Sequence, residues 1–299
     1  MKILVAAPVH DRAWIIKDFL DSVKALETEG LSVGYLFIEN DSADNSLELL
    51  RKLTARWPNC EVRTVTNHLP AYDRKGTAGD PMYLRMAILR ESIRQATLDG
   101  GYDYLLSCDS DIMMQPETLQ RLLSHNLDMV AAMISNSGSA VFSAVNAMEF
   151  MPASGPPPYN QPAQWIHWRP IGKGARKVGG TGACFLASRG LLERSSYLYR
   201  PDMHSRYWIP LDKPGHIYGE DYAFAMSCGD AGLEQHLDES LRNWHCYTPE
   251  LLEIYRKAKA QYKRQAVKRI ADRAWLGVDQ KLLVPGCGSC GQTRRDLYG

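Results

Sequence analysis

Apolar residues in the first half of the chain recur with two alternating spacings. Short, β-branched apolar runs predict four strands, at 2–9, 33–40, 61–67 and 102–111. Each of the first three runs is followed by a segment whose apolar residues recur at helical spacing, at 12–26, 44–57 and 81–97. Repeated units of one strand and one helix predict an α/β fold, with a mostly parallel central sheet flanked by helices.

The second half of the chain is less regular. Its apolar pattern predicts strands at 127–135, 178–188 and 241–247, and helices at 219–232 and 249–275. A proline-rich stretch at 153–164 separates the first two of these strands and is incompatible with the interior of a sheet.

Composition and charge narrow the classes of function. The 299 residues are 45% hydrophobic and 23% charged, which is typical of a globular protein. The net charge of +1 gives no overall reason to expect a nucleic acid or a membrane surface as partner. Charge is uneven, however: 250–299 holds 11 Lys and Arg against 5 Asp and Glu, so a local +6 within a total of +1 leaves −5 for the remainder.

Two features indicate the cellular compartment. The seven cysteines are scattered and odd in number, which argues against a disulfide framework and for a reducing compartment. The apolar run at the start meets Pro8, His10 and Asp11 too early for a signal peptide or a membrane-spanning helix. We therefore expect a cytoplasmic protein without a transmembrane segment.

Polar residues follow the predicted strands at the points where they end. They are Pro8, His10 and Asp11 after the first strand, Glu39, Asn40 and Asp41 after the second, Asn67 and His68 after the third, and Asp109 and Asp111 after the fourth. Ligands of open α/β sheets bind beyond the carboxyl ends of the strands. We therefore expect these residues to converge on one cleft.

Asp109 and Asp111 are the strongest chemical signal. Two carboxylates one residue apart on a tight turn can bind a divalent cation, and Mg²⁺ or Mn²⁺ prefers oxygen ligands of this kind and commonly bridges to phosphate. A solvated turn is the alternative, because aspartate is common in turns. The position after an apolar strand of a βα array favours the metal site.

Several segments resemble, in order, the motifs of the nucleotide-sugar glycosyltransferases of the GT-A fold. They are VAAPVHDRAWIIKDFLDSV, YLFIENDSADNSLELL, YLLSCDSDIMM with its DXD motif, GGTGACFLASRGLLER, GEDYAFAMSCGDAG and NWHCY. The later segments are most similar to family-2-type enzymes and Anp1-like mannosyltransferases. The resemblance implies a GT-A domain at 1–248, with a Rossmann-like nucleotide-sugar-binding half at 1–125 and a smaller acceptor-binding and catalytic half at 126–248. A basic helical extension would occupy 249–299.

The resemblance also implies a donor site. Asp109 and Asp111 would bind Mn²⁺ or Mg²⁺ together with the diphosphate of a UDP- or GDP-sugar, and the ion would assist departure of the nucleoside diphosphate. His245 matches a later metal ligand, which is slightly favoured over the alternative of a core histidine beside Trp244. The remaining residues expected to border the donor are Pro8, Val9, His10, Arg12, Glu39, Asp41, Arg85, Ser110 and Gly180.

The resemblance places catalysis at Glu220 and Asp221. Inverting transfer needs a general base that accepts the proton of the acceptor hydroxyl, and an Asp of this acidic pair serves that purpose in inverting relatives, which points to Asp221. Carboxylates at a helix start also act as caps, so one of the two acids could be structural. Whether transfer is inverting or retaining stays open, with inverting favoured.

Other functions and partners remain open at this stage. A sugar-nucleotide nucleotidyltransferase is the competing enzyme class, although the chain has no long glycine-rich, basic loop after its first strand. The acceptor could be a carbohydrate, a lipid-linked sugar or a modified base in DNA. The basic segment at 256–273 would then be a solvated helix face, a contact with anionic lipid or a contact with a nucleic-acid backbone. Cys287 and Cys290 form one Cys-x-x-Cys, which is only half of a tetrahedral zinc site.

Overall fold

The fold is described from a computed structural model. The described residues are 1–66, 80–134, 144–150, 163–167, 174–199 and 219–261. The strands are β1 (Lys2–Val9), β2 (Ser32–Glu39), β3 (Cys60–Thr64), β4 (Tyr104–Cys108), β5 (Ile112–Met113), β6 (Met129–Ile134), β7 (Ala144–Phe150), β8 (Ala163–His167), β9 (Ala175–Val178), β10 (Gly180–Thr181), β11 (Cys184–Ser188) and β12 (Gln235–His245). The helices are α1 (Ile16–Lys24), α2 (Ser46–Thr54), α3 (Asp80–Asp99), α4 (Thr118–Ser124), α5 (Arg189–Glu193), α6 (Glu220–Asp230) and α7 (Pro249–Gln261).

The central sheet contains the repeated βα units that the pattern predicts. Its strand order is β3-β2-β1-β4-β11-β6-β12-β5, and β9 pairs with β12. Strands β3, β2, β1 and β4 are mutually parallel, which confirms the expected parallel sheet in the first half. Strand β1 is almost entirely buried, because helices cover both faces of a parallel sheet. The carboxyl ends of these strands therefore meet at one edge.

The two halves of the chain share this sheet. Strand β11 enters between β4 and β6 and runs antiparallel to both, while β12 runs parallel to β6. Cys184 of β11 lies opposite Cys108 of β4, so the start of β11 adjoins the end of the strand that precedes Asp109. The division at 125/126 is therefore not a gap between two cores. A separate C-terminal extension from 249 stays a prediction. Helix α7, with which it would begin, packs on the sheet through Tyr255, whose ring centroid lies 5.6 Å from that of Trp244.

The prediction of a single strand at 178–188 is wrong. The segment is broken into the end of β9, the two residues of β10, and β11. The break occurs at Gly182 and Ala183, and the φ angle of Ala183 is 67°, which no regular strand accommodates. Strand β10 leaves the central sheet and forms a second, three-stranded sheet in the order β10-β7-β8. The turn between β10 and β11 thereby sits beside the end of β4.

The last predicted strand, at 241–247, is longer than expected. Strand β12 begins at Gln235, and its pairing with β6 is irregular between Asp238 and Arg242. The irregular pairing interrupts the period of two on which strand prediction depends. Asp238 is fully buried, and its carboxylate accepts hydrogen bonds from Arg121 at 3.1 Å and from the backbone N–H of Ser240 at 2.9 Å.

Some sequence predictions concern residues that are not described. Outside the described residues lie Asn67, His68, residues 153–162 of the proline-rich stretch, the Cys-x-x-Cys pair and the continuation of the basic helix to 275. Strand β8, which begins at the end of the proline-rich stretch, is an outer strand of the small sheet, a position that tolerates proline. No helix among the described residues has both the length and the apolar character needed to cross a membrane.

Candidate active site

A single buried arginine joins three acids at the carboxyl edge of the sheet. Arg90 has a side chain only 2% exposed, and its Nη2 donates to Oδ1 of Asp109 at 2.7 Å. Its Nε lies 3.5 Å from Oε1 of Glu220 and 3.8 Å from Oδ1 of Asp221. Nη1 donates to Oγ of Ser107 at 3.5 Å. The cluster thus connects α3, the end of β4 and the start of α6.

Local sequence explains why these groups meet. Arg90 lies on the buried face of α3 with Ile93 and Thr97, at the i+3 and i+7 spacing of one helical stripe. Asp109 directly follows β4, and Glu220 and Asp221 occupy the first turn of α6, where the positive end of the helix dipole favours carboxylates. An arginine inside an apolar stripe is costly to desolvate, so it requires acids such as these around it.

A second ionic group contains the other aspartate of the DXD motif. Oδ2 of Asp111 accepts a hydrogen bond from Nη2 of Arg12 at 3.1 Å, and Oδ1 lies 3.5 Å from Nε2 of His245. Asp111 is 6% exposed, whereas the side chain of Arg12 is 32% exposed. The backbone carbonyl of Asp111 accepts from Cys246, so the DXD turn is tied to the end of β12. The structure thus places His245 beside Asp111, while metal binding by His245 stays a prediction.

The acids differ in the direction of their pKa shifts. Burial alone would raise the pKa of Asp111, but His245 and Arg12 more than compensate and lower it. Burial raises the pKa of Asp109 and of Glu220, although Arg90 opposes both shifts. Burial, together with the negative charges of Glu220 and Asp109, raises the pKa of Asp221 to about 7, against the opposing effect of Arg90. Asp221 is therefore poised to exchange a proton near neutral pH.

The glycine-rich turn is fitted to Asp221. A Cβ atom added to Gly182 would overlap Oδ2 of the Asp221 carboxylate. Gly182 is held from the other side by Asn146, whose Nδ2 donates to the carbonyl of Gly182 at 2.9 Å. At Gly180 the close neighbour is Ala225 of α6, 2.7 Å from an added Cβ, so the close approach observed there is to a helix. A donor contact at Gly180 stays a prediction.

The predicted nucleoside side of the cleft consists of the loops after β1 and β2. Pro8 and Val9 end β1 inside the sheet, and Nδ1 of His10 lies 2.5 Å from the carbonyl of Asn40. Glu39 is 4% exposed and accepts from the backbone N–H of Ser42 at 2.7 Å, so one carboxylate oxygen supports the turn. The structure thus brings these loops together, as expected, while a contact with a nucleotide stays a prediction.

Backbone conformations at the same edge are unusual. Asp11 and Asp41 have φ angles of 50° and 48°, in the left-handed region that non-glycine residues seldom adopt. Asp41 accepts from Nδ2 of the fully buried Asn40 at 3.0 Å, and Oδ1 of Asp11 accepts from the backbone N–H of Ala43 at 2.7 Å. The first of these bonds fixes the loop after β2, and the second joins it to the loop after β1. Asp44 accepts from the backbone N–H groups of Ala13 and Ser46, which agrees with a structural role.

A divalent cation would find two of its three expected ligands together. Among the residues that the structure describes, no group of three or more His, Cys, Asp and Glu side chains is arranged to hold a metal ion. Oδ1 of Asp109 is paired with Arg90, and metal binding by Asp109 stays a prediction. Buried Oδ1 of Asp111 and Nε2 of His245 are 3.5 Å apart and could both bind a cation. A carboxylate together with an imidazole suits Mn²⁺ better than Mg²⁺, because Mg²⁺ prefers oxygen ligands alone.

Sequence reasoning missed Arg90 and selected Arg85 on the same helix. Arg85 is half-buried, one and a half turns before Arg90. The sequence does contain a signal for Arg90, because a charged residue stands in the apolar stripe that also contains Leu89 and Ile93.

Two further residues expected at the donor are buried in the structure. They are Ser110, the middle residue of the DXD motif, and Pro8.

Comparison with known families supports the glycosyltransferase class. Residues 34–152 match the sequence model of the family described as "Glycosyl transferase family 21". This segment runs from β2 to just beyond β7 and contains Arg90 and the DXD motif. The enzyme class predicted from the sequence is therefore confirmed for this segment. No curated protein sequence matches the chain.

Comparison with solved structures confirms the GT-A fold. The chain resembles GalNAc-T7, whose crystal structure contains UDP, GalNAc and Mn²⁺, with a TM-score of 0.50 and 13% identity over 95% of this chain and 59% of that one. It also aligns with TarS of S. aureus, with a TM-score of 0.49 and 14% identity over 84% of this chain and 38% of that one. A shorter TarS structure with UDP-GlcNAc gives a TM-score of 0.45, at 15% identity over 82% and 58% of the two chains. The chain thus spans less than two thirds of the length of these proteins.

We expect Arg90→Met to destabilise the fold strongly. The substitution preserves much of the buried volume but leaves Asp109, Glu220 and Asp221 without their common counter-charge. Breaking a buried ionic group by removing one partner costs about 3–5 kcal/mol. Urea unfolding should show this loss, whereas Lys177→Met, which removes an exposed pair with Glu234, should change the free energy of unfolding by less than about 1 kcal/mol. Equal stability of the two variants would contradict the central role of Arg90.

Proposed function

We propose that the protein is a metal-dependent glycosyltransferase that moves a sugar from a nucleotide-diphosphate sugar to an acceptor hydroxyl with inversion. One observation carries the proposal: Arg90 holds Asp221 and Asp109 in one cluster at the carboxyl edge of a GT-A sheet. A proton acceptor and a DXD carboxylate would thus face the same substrate. The family match at 34–152 supports this activity.

Asp221 is the proposed general base. Its side chain is 32% exposed, so it is open to an acceptor, while Glu220 beside it is 12% exposed and less accessible. A base whose pKa lies near neutral pH combines the ionised form with a useful driving force for proton transfer. Asp221 would accept the hydroxyl proton as the acceptor oxygen attacks the anomeric carbon. Arg90 and Gly182 would orient its carboxylate.

Asp111, His245 and Arg12 are the proposed diphosphate side of the site. A divalent cation held by Asp111 and His245 would supply Lewis-acid stabilisation of the negative charge on the leaving nucleoside diphosphate. Arg12 lies at the same point and can donate to phosphate oxygens. The loops of His10 and Asp41 would border the nucleoside. Since GalNAc-T7 is described with UDP and Mn²⁺, we propose UDP-sugars and Mn²⁺ as the first combination to test.

Donor hydrolysis tests this function without knowledge of the acceptor. Incubation with Mn²⁺ and a panel of UDP-, GDP- and dTDP-sugars should release one nucleoside diphosphate, measured by chromatography. Asp111→Asn should abolish the release, because it weakens the cation site and the contact with Arg12. Asp99→Asn, at an exposed helix end, is the matched control and should leave the release unchanged. Full release by Asp111→Asn, or release of no diphosphate from any donor, would refute the proposal.

Activity should depend on the protonation of Asp221. With a pKa of about 7, kcat/KM should rise about tenfold per pH unit below pH 7 and level off above it, once the acceptor is known. Asp221→Asn should lower kcat by about 10²–10⁴-fold and remove this rise. The effect on folding has the opposite sign, because a raised carboxyl pKa stabilises the native state at low pH. That contribution is complete below 3.8, the ordinary pKa of an aspartate, and is lost as the pH rises through 7.

Gly182→Ala should reduce activity more than stability. The new methyl group would displace the end of the Asp221 side chain, which can rotate, so the fold can persist while the base moves away from its position. Gly190→Ala is the control, because an added Cβ there has its nearest neighbour at 3.9 Å. We expect a large fall in kcat for the first variant only, with similar thermal unfolding of both. Unchanged kcat in Gly182→Ala would argue against Asp221 as the base.

A further inference from the structure

A cavity of about 500 Å³ lies at the edge of the sheet opposite the acidic cluster. Helices in βα units run antiparallel to the strands, so the C-terminal ends of α1 and α2 lie where β2 and β3 begin. The cavity is formed there, by Lys24 at the end of α1, by Lys52, Leu53 and Arg56 at the end of α2, and by Trp57 and Tyr35. We call this cavity the basic aromatic pocket.

The floor of the pocket is rigid and aromatic. The ring of Trp57 packs edge-on against Tyr35 at 5.0 Å and against Phe37 at 6.0 Å between centroids. Phe37 is fully buried in the main core, and Leu53 packs against the same core. Trp57 is therefore held in one orientation before any ligand arrives, which lowers the entropic cost of binding.

The rim of the pocket carries uncompensated positive charge. Lys24, Lys52 and Arg56 are exposed, and within the described part of the chain none of them has a carboxylate in ion-pairing distance. Neighbouring surface cations differ: Lys17 pairs with Asp21 at 2.6 Å, and Arg256 with Asp18 at 2.6 Å. Helix dipoles account for lysines in the last turns of α1 and α2, but they do not account for an arginine beyond the end of α2 beside a cavity with an aromatic floor.

We propose that the basic aromatic pocket binds a phosphate-bearing ligand. Three cations would hold the phosphate, with Arg56 able to donate two parallel hydrogen bonds, while Trp57 would contact an apolar or ring-shaped part of the same ligand. Charge argues against the segment 262–299 as the occupant, because it holds 8 Lys and Arg against 3 Asp and Glu. The phosphate could belong to a soluble molecule or to a lipid headgroup, and the two sources are separable by experiment.

Two probes test the pocket. Inorganic pyrophosphate, with EDTA present to remove divalent cations, represents a soluble ligand and is measured by calorimetry. Vesicles of phosphatidylcholine with and without phosphatidylserine represent a lipid surface and are measured by co-sedimentation. The triple variant Lys24→Gln, Lys52→Gln, Arg56→Gln should bind the effective probe about a hundredfold more weakly. The control Arg176→Gln, Lys177→Gln, Arg189→Gln removes the same charge elsewhere and should bind like the wild type.

The binding of the two triple variants shows whether the basic aromatic pocket binds phosphate and from which source. Loss of pyrophosphate binding in the pocket variant alone supports a soluble phosphate ligand, and loss of binding to phosphatidylserine vesicles alone supports a lipid headgroup. Trp57→Leu should weaken the same interaction without removing any charge. Equal weakening of both triple variants would show a general charge effect and overturn the proposal. So would the failure of the wild type to bind either probe, with thermal unfolding used to confirm that all variants are folded.

Discussion

The arrangement of this site depends on one guanidinium group, that of Arg90, which is buried among three carboxylates. Asp109, Glu220 and Asp221 come from two distant parts of the chain, and in a partly buried setting three carboxylates repel one another unless a cation lies among them. Arg90 provides that cation with a side chain only 2% exposed, and its planar fork can contact several acids at once. The same contacts fix the first turn of α6 against the end of β4. Arg90 thus sets the geometry of the site and limits the rise in carboxyl pKa that burial causes.

The glycine-rich turn between the two sheets follows from the same constraint. Strand β11 pairs with β4 and brings Gly182 against the carboxylate of Asp221, where no side chain fits. Asn146 then bonds the turn to β6, since its Nδ2 donates to Ala132 and its Oδ1 accepts from Ile134. The small sheet therefore acts as a support that fixes the position of the turn. The break between β10 and β11 places Gly182 beside the carboxylate of Asp221.

Structural features that depend on local periodicity, or on the residues that follow a strand, can be predicted from the sequence. The βα units, the shared edge after β1, β2 and β4, and the acids at the start of α6 all follow from patterns within short windows. Arg90 does not, because its role depends on contacts with residues 17 to 131 positions away. The break at Gly182 and Ala183 was missed for a similar reason, since a partner 38 or more residues distant sets that backbone conformation. Irregular pairing in β12 likewise hides its first residues.

The two aspartates of the DXD motif have different electrostatic surroundings, and this difference separates their tasks. Asp109 is paired with an arginine that is almost fully buried and cannot leave without exposing three acids to one another. Asp111 is paired with Arg12, whose side chain is 32% exposed and can turn toward solvent at little cost. The lowered pKa of Asp111 keeps its carboxylate ionised beside His245. In the proposed reaction, Arg12 would leave Asp111 and donate hydrogen bonds to phosphate oxygens instead. In the proposed reaction, Asp111 would therefore bind the cation, and Asp109 would hold the end of β4 against α3 through Arg90.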